Sequence, residues 1–82
     1  MTFLKKYRFF FDKNLFISNK FYLFNDYYYK IHNILKLKIG NIVFLFNYDN
    51  IEIKTIIIKY GINYVVLKKL EIFFLKKFLI LF

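Results

Sequence analysis

The sequence predicts a mainly β domain with one short α-helix, folded as a small β-barrel. Short apolar runs separated by polar turn residues recur along most of the chain, which is typical of strands joined by tight connections. One stretch instead places apolar residues at helical spacing. The 82 residues are 60% hydrophobic and 26% aromatic, which suits the core of a single small domain and excludes a disordered tail.

Two strands are predicted in the N-terminal part. Residues 7–11 form a short, mostly aromatic run that ends at the polar residues Asp12, Lys13 and Asn14, as a strand followed by a turn would. A polar connection at Ser18 and Asn19 then precedes a second apolar run at residues 20–24.

The helix is predicted to follow directly. Asn25 or Asp26 supplies a side-chain oxygen suited to capping its N-terminus. The apolar stripe expected to face the core consists of Tyr28, Ile31, Ile34 and Leu35. Lys36 and Lys38 lie near the predicted C-terminal end, where the helix dipole favours cations. Gly40 is placed to take the left-handed conformation that a helix exit often needs.

The second half predicts a three-stranded meander. Its strands are residues 42–46, 51–58 and 62–67, joined by turns at residues 47–50 and 59–61. The first strand is apolar throughout, as expected for a strand covered on both faces. Polar residues at 68–71 would close the meander.

The net charge is +9, from 14 basic and 5 acidic residues. Such an excess indicates a polyanionic partner, such as a nucleic acid or an anionic membrane surface. Biased codon usage is an alternative explanation. Every basic residue except Arg8 is lysine, and Ile, Asn, Phe and Tyr are heavily used. All of these residues have A/T-rich codons, so an A/T-rich genome would enrich them without any ligand.

Several kinds of site are excluded by composition. The chain has no cysteine and a single histidine, His32, so disulfides, thiolate metal sites and histidine clusters are absent. The five acidic residues are scattered, which favours turn and capping roles over an acid/base pair. They are Asp12, Asp26, Asp49, Glu52 and Glu71. The sequence therefore contains no catalytic constellation.

A membrane span is not predicted, because a spanning helix needs roughly 20 largely apolar residues and lysines interrupt every candidate. The N-terminus also lacks an apolar run ending in a cleavage site, so it does not predict a secretory signal. We expect a cytoplasmic protein.

Basic and aromatic residues alternate in two places. Arg8 lies between Tyr7 and Phe9, and Lys30, Lys36 and Lys38 follow three consecutive tyrosines. Cations bind phosphates and aromatic faces stack on unpaired bases in many RNA-binding domains. The alternative is that the aromatic residues form the core and the lysines a solvated surface.

A collinear series of short motifs covers residues 7–70. The series is Arg8-Phe9-Phe10, Asp26, Ile34-Leu35-Lys36, Gly40-Asn41, Leu45-Phe46-Asn47 and Glu52. This order and spacing resembles the N-terminal domain of the RsmE family, bacterial enzymes that methylate N3 of a uridine in small-subunit ribosomal RNA. Three positions depart from the family pattern. Tyr29-Lys30 replaces a His-His pair, Lys36 replaces an arginine, and Asn47-Tyr48 replaces Asp-Gly. Lysine keeps the charge but loses the planar, bidentate grip on phosphate.

The resemblance implies a PUA-like β-barrel, spanning residues 1–71, whose helix helps to hold ribosomal RNA of the small subunit. The RNA-binding residues it implies are Arg8, Tyr29, Lys30, Lys36 and Lys38. In that family S-adenosylmethionine is bound by a separate, knotted SPOUT-type domain, which also dimerises. No cofactor site, metal site or catalytic residue is therefore expected here. Residues 72–82 would begin the link to that domain.

The strongly apolar residues 72–82 leave three alternatives open. We expect them to pack on this domain, on a second copy of the chain, or on a following catalytic domain. The chain would then be a truncated methyltransferase, a non-catalytic remnant serving as a structural or protein-interaction module, or one part of an enzyme whose catalytic domain is encoded separately.

Overall fold

The protein is described by a computed structural model covering residues 6–16 and 18–74. The strands are β1 (Arg8–Phe10), β2 (Lys20–Phe24), β3 (Ile42–Phe46), β4 (Ile51–Gly61) and β5 (Tyr64–Phe74). The helix, α1, begins as an α-helical turn (Asp26–Tyr28) and continues as a π-helical segment (Tyr29–Ile34). Among the residues that the structure describes, none of the helical segments could span a membrane.

The strands form one five-stranded sheet in the order β1-β3-β4-β5-β2. β1 pairs with β3 in parallel, and the other neighbours are antiparallel. β1 and β2 are therefore the two edges of a curved half-barrel, and the helix packs on its inner side. This confirms the predicted fold class, mainly β with one short helix.

The curvature of the sheet comes from its two long strands. β4 and β5 have 11 residues each, and their register shifts between Lys54 and Thr55 and again between Ile57 and Lys59. Bulges of this kind bend a strand and increase its twist, so the meander can wrap around one side of a small core.

The core lies on the inner face of the half-barrel. Alternate residues of β2, β3 and β4 point inward, as the period of a strand requires. The largest fully buried side chains are Leu15, Leu23, Ile31, Leu45, Ile53, Ile57, Leu67, Val43, Val65 and Thr55. The Thr55 hydroxyl donates a 2.7 Å hydrogen bond to the carbonyl of Val43, so its burial leaves no unpaired polar atom.

The hairpin between β4 and β5 differs from the prediction. β4 continues to Gly61, and the turn is Ile62 and Asn63, not residues 59–61. Asn63 has φ 63°, a conformation that asparagine tolerates better than most residues. Gly61 is needed for space: a Cβ there would lie 2.1 Å from ring atoms of Tyr64.

β5 also runs further than predicted. It extends to Phe74, which pairs with Ile51, because the polar residues at 68–71 continue the strand instead of ending it. The predicted start of a link at residue 72 therefore falls inside this strand. The rest of that predicted link, residues 75–82, lies outside the described residues.

The π-helical segment changes which residues of the helix reach the core. Ile31 is fully buried, but Ile34 is 57% exposed. A π-helix has a wider turn than an α-helix, so a residue three positions after Ile31 rotates away from the core. Tyr28 and Leu35 pack against the core as predicted.

Both ends of the helix differ from the prediction. Asn25 is the N-cap residue, but no side chain caps the helix there. At the other end, Lys36 has φ 53° and forms the left-handed exit. Gly40 has φ 97°, but it lies in the turn before β3. Helix exits need a left-handed residue, and here a lysine takes that conformation.

Candidate nucleic-acid interface

An open cleft of about 420 Å³ lies where β1 meets the beginning of the helix. It is lined by Phe9, Phe10, Asp26, Tyr27 and Lys30. The Tyr27 hydroxyl donates a 2.5 Å hydrogen bond to the carbonyl of Phe10. The Tyr27 ring meets Phe9 edge to face, with centroids 6.4 Å apart. These contacts hold the helix against β1 and give the cleft aromatic walls.

Burial raises the pKa of the Tyr27 hydroxyl, and the nearby Asp12 carboxylate raises that pKa further. Both effects disfavour the phenolate. The hydroxyl therefore remains a hydrogen-bond donor, and the link between the helix and β1 is preserved at neutral pH.

The polar groups of the cleft are free to bind a ligand. The exposed side chains of Asp26 and Lys30 make no hydrogen bond or ion pair within residues 6–16 and 18–74. An ammonium group donates to phosphate oxygens, and a carboxylate accepts hydrogen bonds from base N–H groups. Tyr29 precedes Lys30 on the helix and is 53% exposed, so its ring is accessible for stacking.

Lys36 lies on an exit segment that is anchored to the core on both sides. The next residue, Leu37, is buried, and its N–H donates a 3.0 Å hydrogen bond to the carbonyl of Ile31. The carbonyl of Leu37 accepts a 2.6 Å hydrogen bond from the hydroxyl of Tyr60 on β4. Burial raises the pKa of Tyr60, and the neighbouring Tyr28 raises it further. The exposed Lys36 thus extends from a constrained backbone.

Lys38 is held by the Gly-Asn pair that follows it. Its N–H donates a 2.6 Å hydrogen bond to the side-chain oxygen of Asn41, and its carbonyl accepts one of 2.9 Å from the Asn41 N–H. The Gly40 N–H donates a 2.8 Å hydrogen bond to the carbonyl of Ile57 on β4. Lys36 and Lys38 are both exposed on this loop, and its fixed backbone limits the entropy lost on binding.

Arg8 lies on the outer face of the sheet and is bound within the protein. Its Nε donates a 2.5 Å hydrogen bond to Glu52, whose side chain is only 5% exposed. The guanidinium also lies over the Phe46 ring, 4.5 Å from the centroid. Lys6 pairs with the same carboxylate at 3.3 Å and lies over Phe44. The turn or capping role predicted for the acidic residues is wrong for Glu52, which lies within β4.

The predicted RNA-binding residues therefore form separate groups. Tyr29 and Lys30 lie on the helix beside the cleft, and Lys36 and Lys38 lie on the loop that follows it. Arg8 is engaged with Glu52 on the outer face. Contact of any of them with RNA stays a prediction.

The sequence patterns do not reveal that the aromatic walls and Asp26 belong to one cleft. The signal was present in the motif series, since the Arg8-Phe9-Phe10 motif and Asp26 both belong to it. Their proximity depends on the helix packing against β1, which the strand and helix patterns do not specify.

No metal centre is evident in the described part of the chain, where no three His, Cys, Asp or Glu side chains cluster. A second open cleft of about 300 Å³ lies beside the β3–β4 turn. Its lining residues are Asp12, Lys13, Asn14, Asn47, Tyr48 and Asp49. The two carboxylates there accompany Lys13, so this region is less basic than the loop carrying Lys36 and Lys38.

Comparison with known proteins shows the same fold in methyltransferase structures. No protein-family model matches the chain, and no curated protein matches it in sequence. A protein assigned as a methyltransferase from Legionella pneumophila, in complex with S-adenosylmethionine, is 16% identical with a TM-score of 0.80. The match covers 90% of this chain and 31% of that one.

Two further structures are similar. Ribosomal RNA small subunit methyltransferase E from Neisseria gonorrhoeae, bound to S-adenosylmethionine, is 15% identical with a TM-score of 0.73 over 83% of this chain and 28% of that one. A predicted RNA methyltransferase from Thermotoga maritima is 10% identical with a TM-score of 0.68, over 87% and 31% of the two chains. The present chain thus spans about 30% of the length of these proteins, and the likeness is one of fold.

Proposed function

We propose that this chain is the RNA-binding domain of an RsmE-like methyltransferase acting on small-subunit ribosomal RNA. The observation that carries the proposal is that nearly the whole half-barrel matches part of the Neisseria gonorrhoeae and Legionella pneumophila structures. The collinear motifs of the sequence support the same family independently of the fold comparison.

The charge distribution supports RNA as the partner. Lys30, Lys36 and Lys38 are exposed on one helix and the loop that follows it, and none of them is paired with a carboxylate in the described residues. Unpaired cations on a fixed backbone suit phosphate groups. The exposed ring of Tyr29 adds a surface on which an unpaired base stacks.

In such an enzyme S-adenosylmethionine would be bound by a separate domain, where it would supply the methyl group. The described residues do not fit this cofactor: both clefts are open to solvent, whereas cofactor sites enclose most of their ligand. The role proposed for this chain is to bind and orient the RNA.

Removing the three lysines tests this role. We expect the triple variant Lys30→Ala/Lys36→Asn/Lys38→Ala to bind a fluorescein-labelled small-subunit rRNA hairpin at least tenfold more weakly at about 0.1 M salt, because each lost phosphate contact removes counterion release. Asparagine replaces Lys36 because that position has φ 53°, which asparagine tolerates. Fluorescence anisotropy measures the affinity.

The matched control is Lys13→Ala, which removes one exposed lysine beside Asp12 and Asp49. It should leave the affinity within about twofold of the wild type, since two carboxylates already offset that charge. Equal affinities for the wild type and the triple variant would contradict the proposed RNA surface.

A protein-interaction module is the second candidate, and one observation favours it. Phe16 is 51% exposed and Phe74 is 70% exposed, and their rings lie 6.2 Å apart. Clustered exposed aromatic residues mark interaction sites. If this candidate holds, Phe16→Ser/Phe74→Ser should convert a dimer to a monomer in analytical ultracentrifugation without changing the RNA affinity.

A further inference from the structure

A second aromatic surface lies on the outer face of β2 and β5, away from the core and the helix. On β2, Phe21 and Leu23 are buried, whereas Tyr22 and Phe24 are 52% and 51% exposed. Phe24 pairs across the strands with Tyr64 of β5. We call Tyr22, Phe24 and Tyr64 the aromatic platform.

The Tyr64 ring is tilted against both of its neighbours. The Tyr64 ring lies 6.0 Å from that of Tyr22 and 5.6 Å from that of Phe24, with interplanar angles of 36° and 40°. In the core, by contrast, the rings of Phe11 and Phe21 meet edge to face at 80°. The Tyr64 ring is thus tilted from each of its neighbours by only about half the angle of this core pair.

Gly61 determines where the Tyr64 ring lies. A Cβ at Gly61 would be 2.1 Å from the Tyr64 ring, so that ring packs directly over the glycine backbone at the end of β4. Glycine permits such a close approach. The backbone at Gly61 therefore positions the Tyr64 ring, which is the central ring of the platform.

Three lysines border the platform. Lys20 on β2 lies directly across from Lys68 on β5, and Lys59 of β4 pairs with Val66 beside Tyr22. Like charges directly opposite each other destabilise a sheet. None of the three lysines forms an ion pair with a carboxylate in the residues that the structure describes. An anionic ligand would relieve this repulsion.

The spacing of the platform suits unpaired nucleotides. Tyr22 and Phe24 are two residues apart on one face of a strand, about 7 Å along it. Stacked nucleotides rise only about 3.4 Å per step. An RNA segment that places one base on each ring must therefore have its bases unstacked, as in single-stranded RNA bound to a β-sheet.

We propose that the aromatic platform stacks the bases of a short single-stranded RNA segment, while Lys20, Lys59 and Lys68 bind its phosphates. This surface lies on the opposite side of the sheet from the helix that carries Lys30. It adds a second RNA contact to the one in the proposed function and does not depend on it.

The test measures binding of the full chain to fluorescein-labelled octauridylate, a single strand without stable pairing. Tyr22→Thr/Phe24→Thr removes both exposed rings but keeps residues that favour strands. We expect its affinity to fall by about tenfold for each ring, since base–aromatic stacking contributes at that level. Tyr22→Phe/Phe24→Tyr keeps both rings and should bind like the wild type.

Replacing the bordering lysines should change the salt dependence of RNA binding. Lys20→Gln/Lys68→Gln should flatten the slope of log affinity against log salt by about 1.4, or about 0.7 for each phosphate contact to a single strand. The threonine variant should leave that slope unchanged. Tyr48→Thr, which removes a ring that is 82% exposed elsewhere on the surface, is the matched control and should bind normally.

The proposal would be overturned if the threonine variant bound octauridylate with wild-type affinity. A change of oligomeric state with unchanged RNA binding would also overturn it and would identify the platform as a protein interface. If the double variant is unfolded by circular dichroism, Phe24→Leu alone gives the same comparison. The Lys30/Lys36/Lys38 variant distinguishes the two surfaces: it should weaken hairpin binding, while the threonine variant weakens octauridylate binding.

Discussion

The pairing of Arg8 with Glu52 gives two residues of the motif series a structural role. The sequence suggests Arg8 as an RNA ligand, but the structure uses its guanidinium to neutralise a buried carboxylate on β4. Its side chain is still 41% exposed. The RNA affinity of a variant changed at Arg8 alone would therefore reflect both lost RNA contacts and lost stability.

The stability effect of Arg8 is predictable. Arg8→Ala should lower the free energy of unfolding by about 1–3 kcal/mol, because it leaves Glu52 buried with Lys6 as its one remaining partner among the described residues. Urea denaturation measures this. Adding Glu52→Gln should restore part of the loss, since it removes the buried charge. A loss of the same size with and without Glu52→Gln would show that the ion pair is not its cause.

At the scale of elements, the strands were more predictable than the connections between them. β2 and β3 occupy the predicted residues, because alternation and apolar runs reflect burial directly. The prediction of a turn at residues 59–61 was wrong. Gly61 accommodates the Tyr64 ring, and Asn63 takes the turn conformation instead. Ile34 was misplaced because no sequence pattern reveals a π-helical turn.

The loop carrying Lys36 and Lys38 depends on the proton of Tyr60. This hydroxyl donates to the carbonyl of Leu37, and burial raises its pKa above the usual value of about 10. The stability from a raised pKa is fully present below the unfolded-state pKa and is lost as pH rises through the folded-state pKa. Tyr60 thus stabilises the protein at neutral pH and destabilises it at alkaline pH.

The measurement is the free energy of unfolding of the wild type and Tyr60→Phe from about pH 8 to pH 12. At pH 8 the variant should be about 1 kcal/mol less stable, for one lost hydrogen bond. The difference should shrink above about pH 10. The exposed Tyr48→Phe controls for tyrosines in general. A difference that stays constant with pH would contradict a role for the Tyr60 proton.

For the whole molecule, the pattern of apolar runs predicted the class of fold, whereas the polyanionic partner indicated by the charge stays a prediction. A charge of +9 left biased codon usage open as an explanation. The structure adds that Lys30, Lys36 and Lys38 are exposed without ion-pair partners in the described ranges, and that a second set of lysines borders the aromatic platform. The second set is brought together by the pairing of β5 with β2 and with β4, which no local pattern encodes.

We propose that this half-barrel binds RNA through its cations. The most direct test is the affinity of the unmodified chain for the rRNA hairpin between about 50 and 400 mM salt. We predict a linear fall of log affinity against log salt with a slope near −2 to −3, the value for about three phosphate contacts. An affinity that does not change with salt, or no measurable binding at about 50 mM, would contradict RNA binding through these cations.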